Sequence, residues 1–232
     1  MIGSHLYRQL AVLAALGFAT AICAVLFVLR VIYTHDIDHR GLIWNLFLAW
    51  LPMLSALVAY NLSAQRSRLI WLMVVPCLLF WLLFFPNAPY LVTDLIHLQP
   101  QENVPFWYDL IMISSFVWTG FFLGLVSLFL MQTLIRRLAG RVAGWFFAVG
   151  VVALSSFGIY LGRFLRWNSW DVWRNPMDVF ADVWEPLRHP LAHPQGLGFS
   201  VIFAMFFLSA YLIFFAVAQF QQNTHLLSRD PA

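Results

Sequence analysis

Tyr90, Thr93, Asp94 and His97 stand at i, i+3, i+4 and i+7. On an α-helix that spacing sets four polar groups along one stripe, with Leu91, Val92, Leu95 and Ile96 behind them. Such a stripe can line a wet pocket, in which Asp94 and His97 are the candidates for acid–base work. Asn87, between Pro86 and Pro89, reads as the cap that starts this helix. The plainer reading is an interfacial helix whose polar side faces water. Trp107, Tyr108 and Asp109 follow on the same connection.

A second set begins at Tyr160, which falls with Arg163 and Trp167 at i, i+3 and i+7. Arg166 stands one step round, ahead of Asn168 and Asp171. Two arginines beside tryptophans can clamp a phosphate or carboxylate through paired N–H groups. The same residue types are also ordinary anchors at a bilayer edge. Arg163 has candidate ion-pair partners in Asp94 and Asp109, and such a pair would be architecture rather than chemistry. A third set, His35 and His39 with Asp94 and His97, has the ligand types that hold zinc or iron. No His-Glu-x-x-His motif supports it, and Thr34 to Arg40 reads equally as a solvated loop. No cofactor follows from the sequence. It has no Gly-x-Ser-x-Gly elbow, no Walker loop and no Cys-x-x-Cys pair. Cys23 and Cys77 lie in apolar runs and read as small apolar side chains.

The elements that position these groups are set by composition. The 232 residues are 62% hydrophobic and 10% charged, with a mean hydropathy of +0.80. A water-soluble domain carries more than twice that share of charge, so the excess apolar surface calls for lipid. Six apolar runs of spanning length are expected at 10–29, 41–64, 69–85, 110–135, 142–161 and 197–222, all in one membrane domain over 1–232. These cores hold no Asp, Glu, Lys, Arg or His, which argues against a proton-relay pump and makes a small-solute transporter the remoter alternative. Gly120 and Gly124, like Gly158 and Gly162, are spaced for close helix packing.

The connections alternate in charge. One side takes Arg8, Arg66, Arg68, Arg136, Arg137, Arg141 and Arg229 with a single acid, Asp230. The other takes nine of the ten acids and the histidines His35, His39, His97, His189 and His193. The positive-inside rule puts both termini in the cytoplasm and the acid-rich connections outside. Asn175-Pro176-Met177-Asp178 is a helix start, and Phe180, Val183, Trp184 and Leu187 then share a face opposite Asp178, Asp182 and Glu185. A second short interfacial helix, a lid over the bundle, is expected there. The net charge of +3 is scattered over thirteen arginines, with no stripe for nucleic acid.

The strings Phe85-Pro86-Asn87-Ala88-Pro89-Tyr90, Thr93-Asp94-Leu95-Ile96-His97, Trp107-Tyr108-Asp109, Tyr160-Leu161-Gly162-Arg163-Phe164 and Arg166-Trp167-Asn168-Ser169-Trp170-Asp171 resemble a bacterial membrane family, domain of unknown function 1361. The resemblance runs from about Asn45 to the last span. It implies an integral protein of a bacterial inner membrane and transfers no catalytic role.

The sequence therefore predicts an all-α, polytopic membrane helix bundle with about six spans and two short interfacial helices on the outer face. The expected function is binding of an anionic lipid or envelope-derived ligand. Asn87, Tyr90, Thr93, Asp94, His97, Tyr108, Asp109, Tyr160, Arg163, Arg166, Trp167, Asn168 and Asp171 are its candidate contacts. The alternative is a scaffold for a membrane-protein partner.

Overall fold

The structure, a computed structural model, describes residues 2–63, 71–101, 103–167, 171–188 and 194–227. The helices are α1 (Ile2–Thr34), α2 (Arg40–Leu62), α3 (Trp71–Phe84), α4 (Asn87–Tyr90), a 3-10 helix (Leu91–His97), α5 (Phe106–Phe164), α6 (Asp171–Arg174), α7 (Pro176–Arg188) and α8 (Pro194–Leu227). Among the described residues no strand forms, and Gln101 and Val104 make an isolated antiparallel bridge.

Five helical stretches are long and apolar enough to cross a membrane, and the fourth is α5, 59 residues long. A straight helix of that length would reach about 90 Å, three times the hydrocarbon thickness. It breaks instead at Gly140, where φ 92° and ψ 174° leave helical space in a region that favours glycine. A Cβ added to Gly144 would collide with the side chain of Arg136, eight residues back. A continuous helix would hold those positions about 12 Å apart, so the chain doubles back within α5. The chain is a multi-pass, all-α membrane protein.

It divides into two compact units, Met1–Ser127 and Leu128–Ala232, with the boundary inside α5. In the first unit α2 packs on α3, α4 and the 3-10 helix. Its buried Leu42, Leu46, Ala49, Met53, Ala56 and Tyr60 alternate four and three apart, a single helix-packing seam. Small residues in that seam let backbones approach. Gly120 does the same for α5: a Cβ there would strike Leu91 and come within 3.2 Å of the Ala88 carbonyl.

Polar contacts fix how α1 lies in this unit. Gln9 bonds to Asn61 at 2.9 Å, and Trp50 donates to Thr20 at 3.1 Å. The start of α1 thus meets the end of α2, and the two run antiparallel. Cys23 touches Thr119 at 3.4 Å, which does the same for α1 against α5. Each such bond is worth roughly 0.6 kcal/mol in a membrane, so their value is register more than stability.

In the second unit, buried Tyr211 on α8 hydrogen-bonds Gln132 on α5 at 2.5 Å. Trp145 packs edge-on against Phe215 at 4.9 Å, and the Arg136 guanidinium lies 5.5 Å over the same ring. Near the other end of α5, a Cβ on Gly196 would collide with the Tyr160 ring.

Two glycines separate packing from propensity. Gly120→Val should destabilise the protein by about 1–3 kcal/mol through overpacking. Gly150→Ala, with nothing within 4 Å of the added methyl, should raise the unfolding midpoint slightly, since alanine favours a helix interior over glycine by up to about 1 kcal/mol. Thermal unfolding of both variants in one detergent checks the contrast.

Candidate functional site

The best-defined polar cluster in the first unit is built on Arg30, where the apolar stretch of α1 continues past the charge. Val28 and Leu29 precede Arg30, and Val31, Ile32 and Tyr33 follow it within the helix. The side chain is buried, at 2% exposure. Its Nε donates to Asp109 Oδ1 at 2.8 Å, and Nη2 reaches Asp109 Oδ2 at 3.4 Å and Gln101 Oε1 at 2.6 Å. Asp109, 3% exposed, sits in the first turn of α5, where the helix dipole favours an anion; Arg30 lies near the end of α1, where it favours a cation. The bridge between Gln101 and Val104 presents Gln101. Tyr108 donates to the Leu26 carbonyl at 2.8 Å, one turn before Arg30.

A guanidinium has five N–H donors. Nε and Nη2 account for three, all of them used. Nη1 carries the other two, and that buried atom has no partner among the described residues. Leaving such donors unpaired costs about 1–3 kcal/mol or more. Arg30 also lines a cavity of about 620 Å³ with Leu29, Ile32, Tyr33, Val104, Pro105 and Tyr108. Its lining is chiefly apolar, and Leu29, Ile32 and Tyr33 are exposed, so the cavity opens along the side of α1. Its volume falls within the range of small-ligand sites.

His39, the residue before α2, lies within electrostatic reach of Arg30, Asp109, Asp38 and His97. Its Nδ1 is likewise buried without a partner among the described residues. Burial pushes the imidazole below its ordinary value of 6.5, and the positive charge of Arg30 adds to the effect. The neighbouring turn is ordered by its own side chains: Thr34 accepts from the Asp36 amide and Asp36 from the Asp38 amide.

The residues singled out from the sequence fall out differently. Tyr108 and Asp109 belong to the Arg30 cluster. Asp109 pairs with Arg30, a partner the sequence did not suggest. The stripe of Tyr90, Thr93, Asp94 and His97 does not form, because Leu91–His97 is a 3-10 helix. Three residues per turn put Leu91, Asp94 and His97 on one side and take Tyr90 and Thr93 off that line; Leu91 and Asp94 are buried, while His97, at the end of the helix, is exposed. Asp94 accepts from Asn45 Nδ2 at 2.9 Å, and Thr93 bonds back to the Tyr90 carbonyl. Asn87 does not cap the new helix. Its Nδ2 donates to the Phe84 carbonyl at 2.9 Å, closing the end of α3, and Pro86 holds the cap position with no side-chain bond.

In the second unit Tyr160 and Arg163 are half-buried near the end of α5. Arg166 and Trp167 lie beyond that helix, so the Tyr160–Arg163–Trp167 stripe is broken. Arg166 is exposed at φ 62°, and Trp167 donates to Asp182 at 2.8 Å. Asp171 starts α6, and Asn168 lies outside the described residues. Among the described residues no three of His, Cys, Asp or Glu converge as metal ligands, and His35 is exposed in the turn.

Arg30 and Gln101 were missed as site residues. The signal for Arg30 was present: one charge flanked by apolar residues on both sides lies inside a span rather than at its end. Gln101 carries no such signal, because only the turn that brings it back to α1 gives it a role.

The family described as a protein of unknown function, DUF1361, matches residues 44–212. That is well over half of the chain, which therefore belongs to this family. Gln101, Asp109 and the cavity residues from Val104 to Tyr108 lie inside the match; Arg30 and His39 precede it. No curated protein and no solved structure matches the chain.

Two outcomes follow from the geometry. Arg30→Met or Asp109→Leu alone should cost about 3–5 kcal/mol, because each leaves a buried charge uncompensated. The double variant should be more stable than either, as denaturant unfolding in micelles would show. His39 gives a pH dependence. Its folded value is depressed, so the unfolded chain binds more protons as pH falls below 6.5. Stability is full above that pH and declines below it until the folded histidine also charges. His39→Gln should flatten that part of the unfolding-midpoint profile between pH 5 and 7.

Proposed function

We propose that this DUF1361 protein binds an amphiphilic anion, a lipid or lipid-linked envelope ligand, at the outer edge of a bacterial inner membrane. An acidic oxygen of the ligand meets Arg30, and its apolar part occupies the adjoining cavity. The observation that carries this reading is the buried Nη1, with no partner among the described residues, on a residue lining an apolar cavity that opens along a span. An ionisable residue within a span marks a functional site by default. Asp109 already neutralises much of the Arg30 charge, so recognition rests on directed N–H donation to an oxygen. Phosphodiester and carboxylate oxygens fit that donor. A histidine beside it, His39, adds positive charge as it protonates. Placing this end of α1 outside rests on the acid-free, arginine-bearing loops at the other end. The reading is of binding and assigns no reaction to Asp94 or His97.

A scaffold role is the second reading, favoured by one observation. Asp109 and Gln101 occupy three of the five Arg30 donors, as an interhelical lock alone would require. Ile32→Trp separates the two. Ile32 is 64% exposed and lines the cavity, so an indole there fills the space without touching the Arg30–Asp109 pair. The binding reading predicts that amphiphile co-purifying with the wild type, identified by mass spectrometry of organic extracts, falls at least about tenfold, a change of about 1.4 kcal/mol. The unfolding midpoint should stay in place. Retention of the amphiphile by Ile32→Trp, or none bound to the wild type, would leave the lock as the whole role of Arg30.

A further inference from the structure

The connection between Phe164 and Pro194 holds an apolar face that the rest of the chain does not cover. On α7, Met177, Phe180 and Trp184 fall at i, i+3 and i+7 and are 81%, 61% and 46% exposed. The sequence predicts a face of Phe180, Val183, Trp184 and Leu187 that closes over the bundle as a lid. Instead the Phe180 and Trp184 rings stack on each other, 5.8 Å apart and 15° from parallel, and Arg188 lies 5.7 Å over the indole. The acidic side is the one held: Trp167, just past the end of α5, donates to Asp182 at 2.8 Å. That bond turns the opposite, apolar side away from the chain.

We propose that α7 docks on the lipid bilayer, lying in the headgroup layer with Met177, Phe180 and Trp184 inserted among the upper acyl carbons. Three arguments select lipid as the occupant. First, α7 is tethered between spans. The link from Arg188 to the start of α8 at Pro194 can stretch no more than about 20 Å, so α7 stays close to the membrane surface. Second, its apolar face joins lipid-facing surface. Phe164 and Leu165 at the end of α5, and Leu197, Val201 and Ile202 at the start of α8, are exposed apolar residues of the adjoining helices. Third, a tryptophan with an arginine over its face suits the interface, where an amphipathic ring and a snorkelling cation each reach the surroundings they prefer. Acids opposite an apolar face complete the pattern of a helix lying in the membrane plane.

The test is photo-crosslinking in native membranes with p-benzoylphenylalanine in place of Phe180, Trp184 or, as a control, the exposed Asp178. Adducts of phospholipid mass at 180 and 184, with none at 178, are expected. Adducts to a second copy of the chain or to another protein, or no lipid adduct at 180 and 184, would overturn the proposal. A conservative variant guards against misfolding of the labelled chains. Subtracting the emission of Trp184→Phe from that of the wild type isolates Trp184. Vesicles of phospholipid brominated near the glycerol end of the acyl chain should quench that difference; an unquenched difference overturns the proposal.

Discussion

An ion pair inside a span has to be complete or absent. Arg30 and Asp109 each sit where a lone charge would cost several kcal/mol, and their mutual bonds at 2.8 and 3.4 Å offset that cost. The pair explains how Arg30 stays buried within α1, which continues to Thr34: once neutralised, the guanidinium no longer needs to reach water. It also sets the register between the end of α1 and the beginning of α5. Gln101 and the Tyr108 hydroxyl add contacts from the same connection. The local arrangement of the first unit thus follows from one buried guanidinium, and so does its incomplete satisfaction at Nη1.

The other polar contacts of that unit repeat the logic at lower stakes. Gln9 with Asn61, Thr20 with Trp50 and Cys23 with Thr119 join neutral groups at intervals along α1. They allow a helix that is mostly exposed to hold one position against its neighbours, since lipid gives apolar helix surfaces little reason to prefer each other over acyl chains. The second unit solves the same problem with rings around Trp145, Tyr211 and Phe215 and with one buried amide, Gln132.

Much of the fold was legible because hydropathy and proline placement act locally. The spans, the break after Phe85 and the amphipathic helix after Asn175 all appear where apolar period and proline geometry demand them. What escaped the sequence depends on through-space partners. Whether Leu91–His97 winds as an α or a 3-10 helix changes which side chains share a face, and the periodicity of seven residues does not decide it. That difference parts Tyr90 and Thr93 from the line of Leu91, Asp94 and His97. Arg30 gives no sign of its partner in the sequence; the return of Asp109 to α1 supplies it. The expectation that α7 covers the bundle failed for a related reason: an amphipathic pattern states that one face is apolar, not what lies against it.

The two donors of Arg30 Nη1 have no partner among the described residues. A crystal structure of the protein grown from a lipidic mesophase would show them directly. The predicted result is an elongated molecule in the cavity beside Leu29, Ile32 and Tyr33, with an acidic oxygen about 2.7–2.9 Å from Nη1. Nη1 bonded instead to a group of the chain's own, with no amphiphile in the cavity, would contradict it.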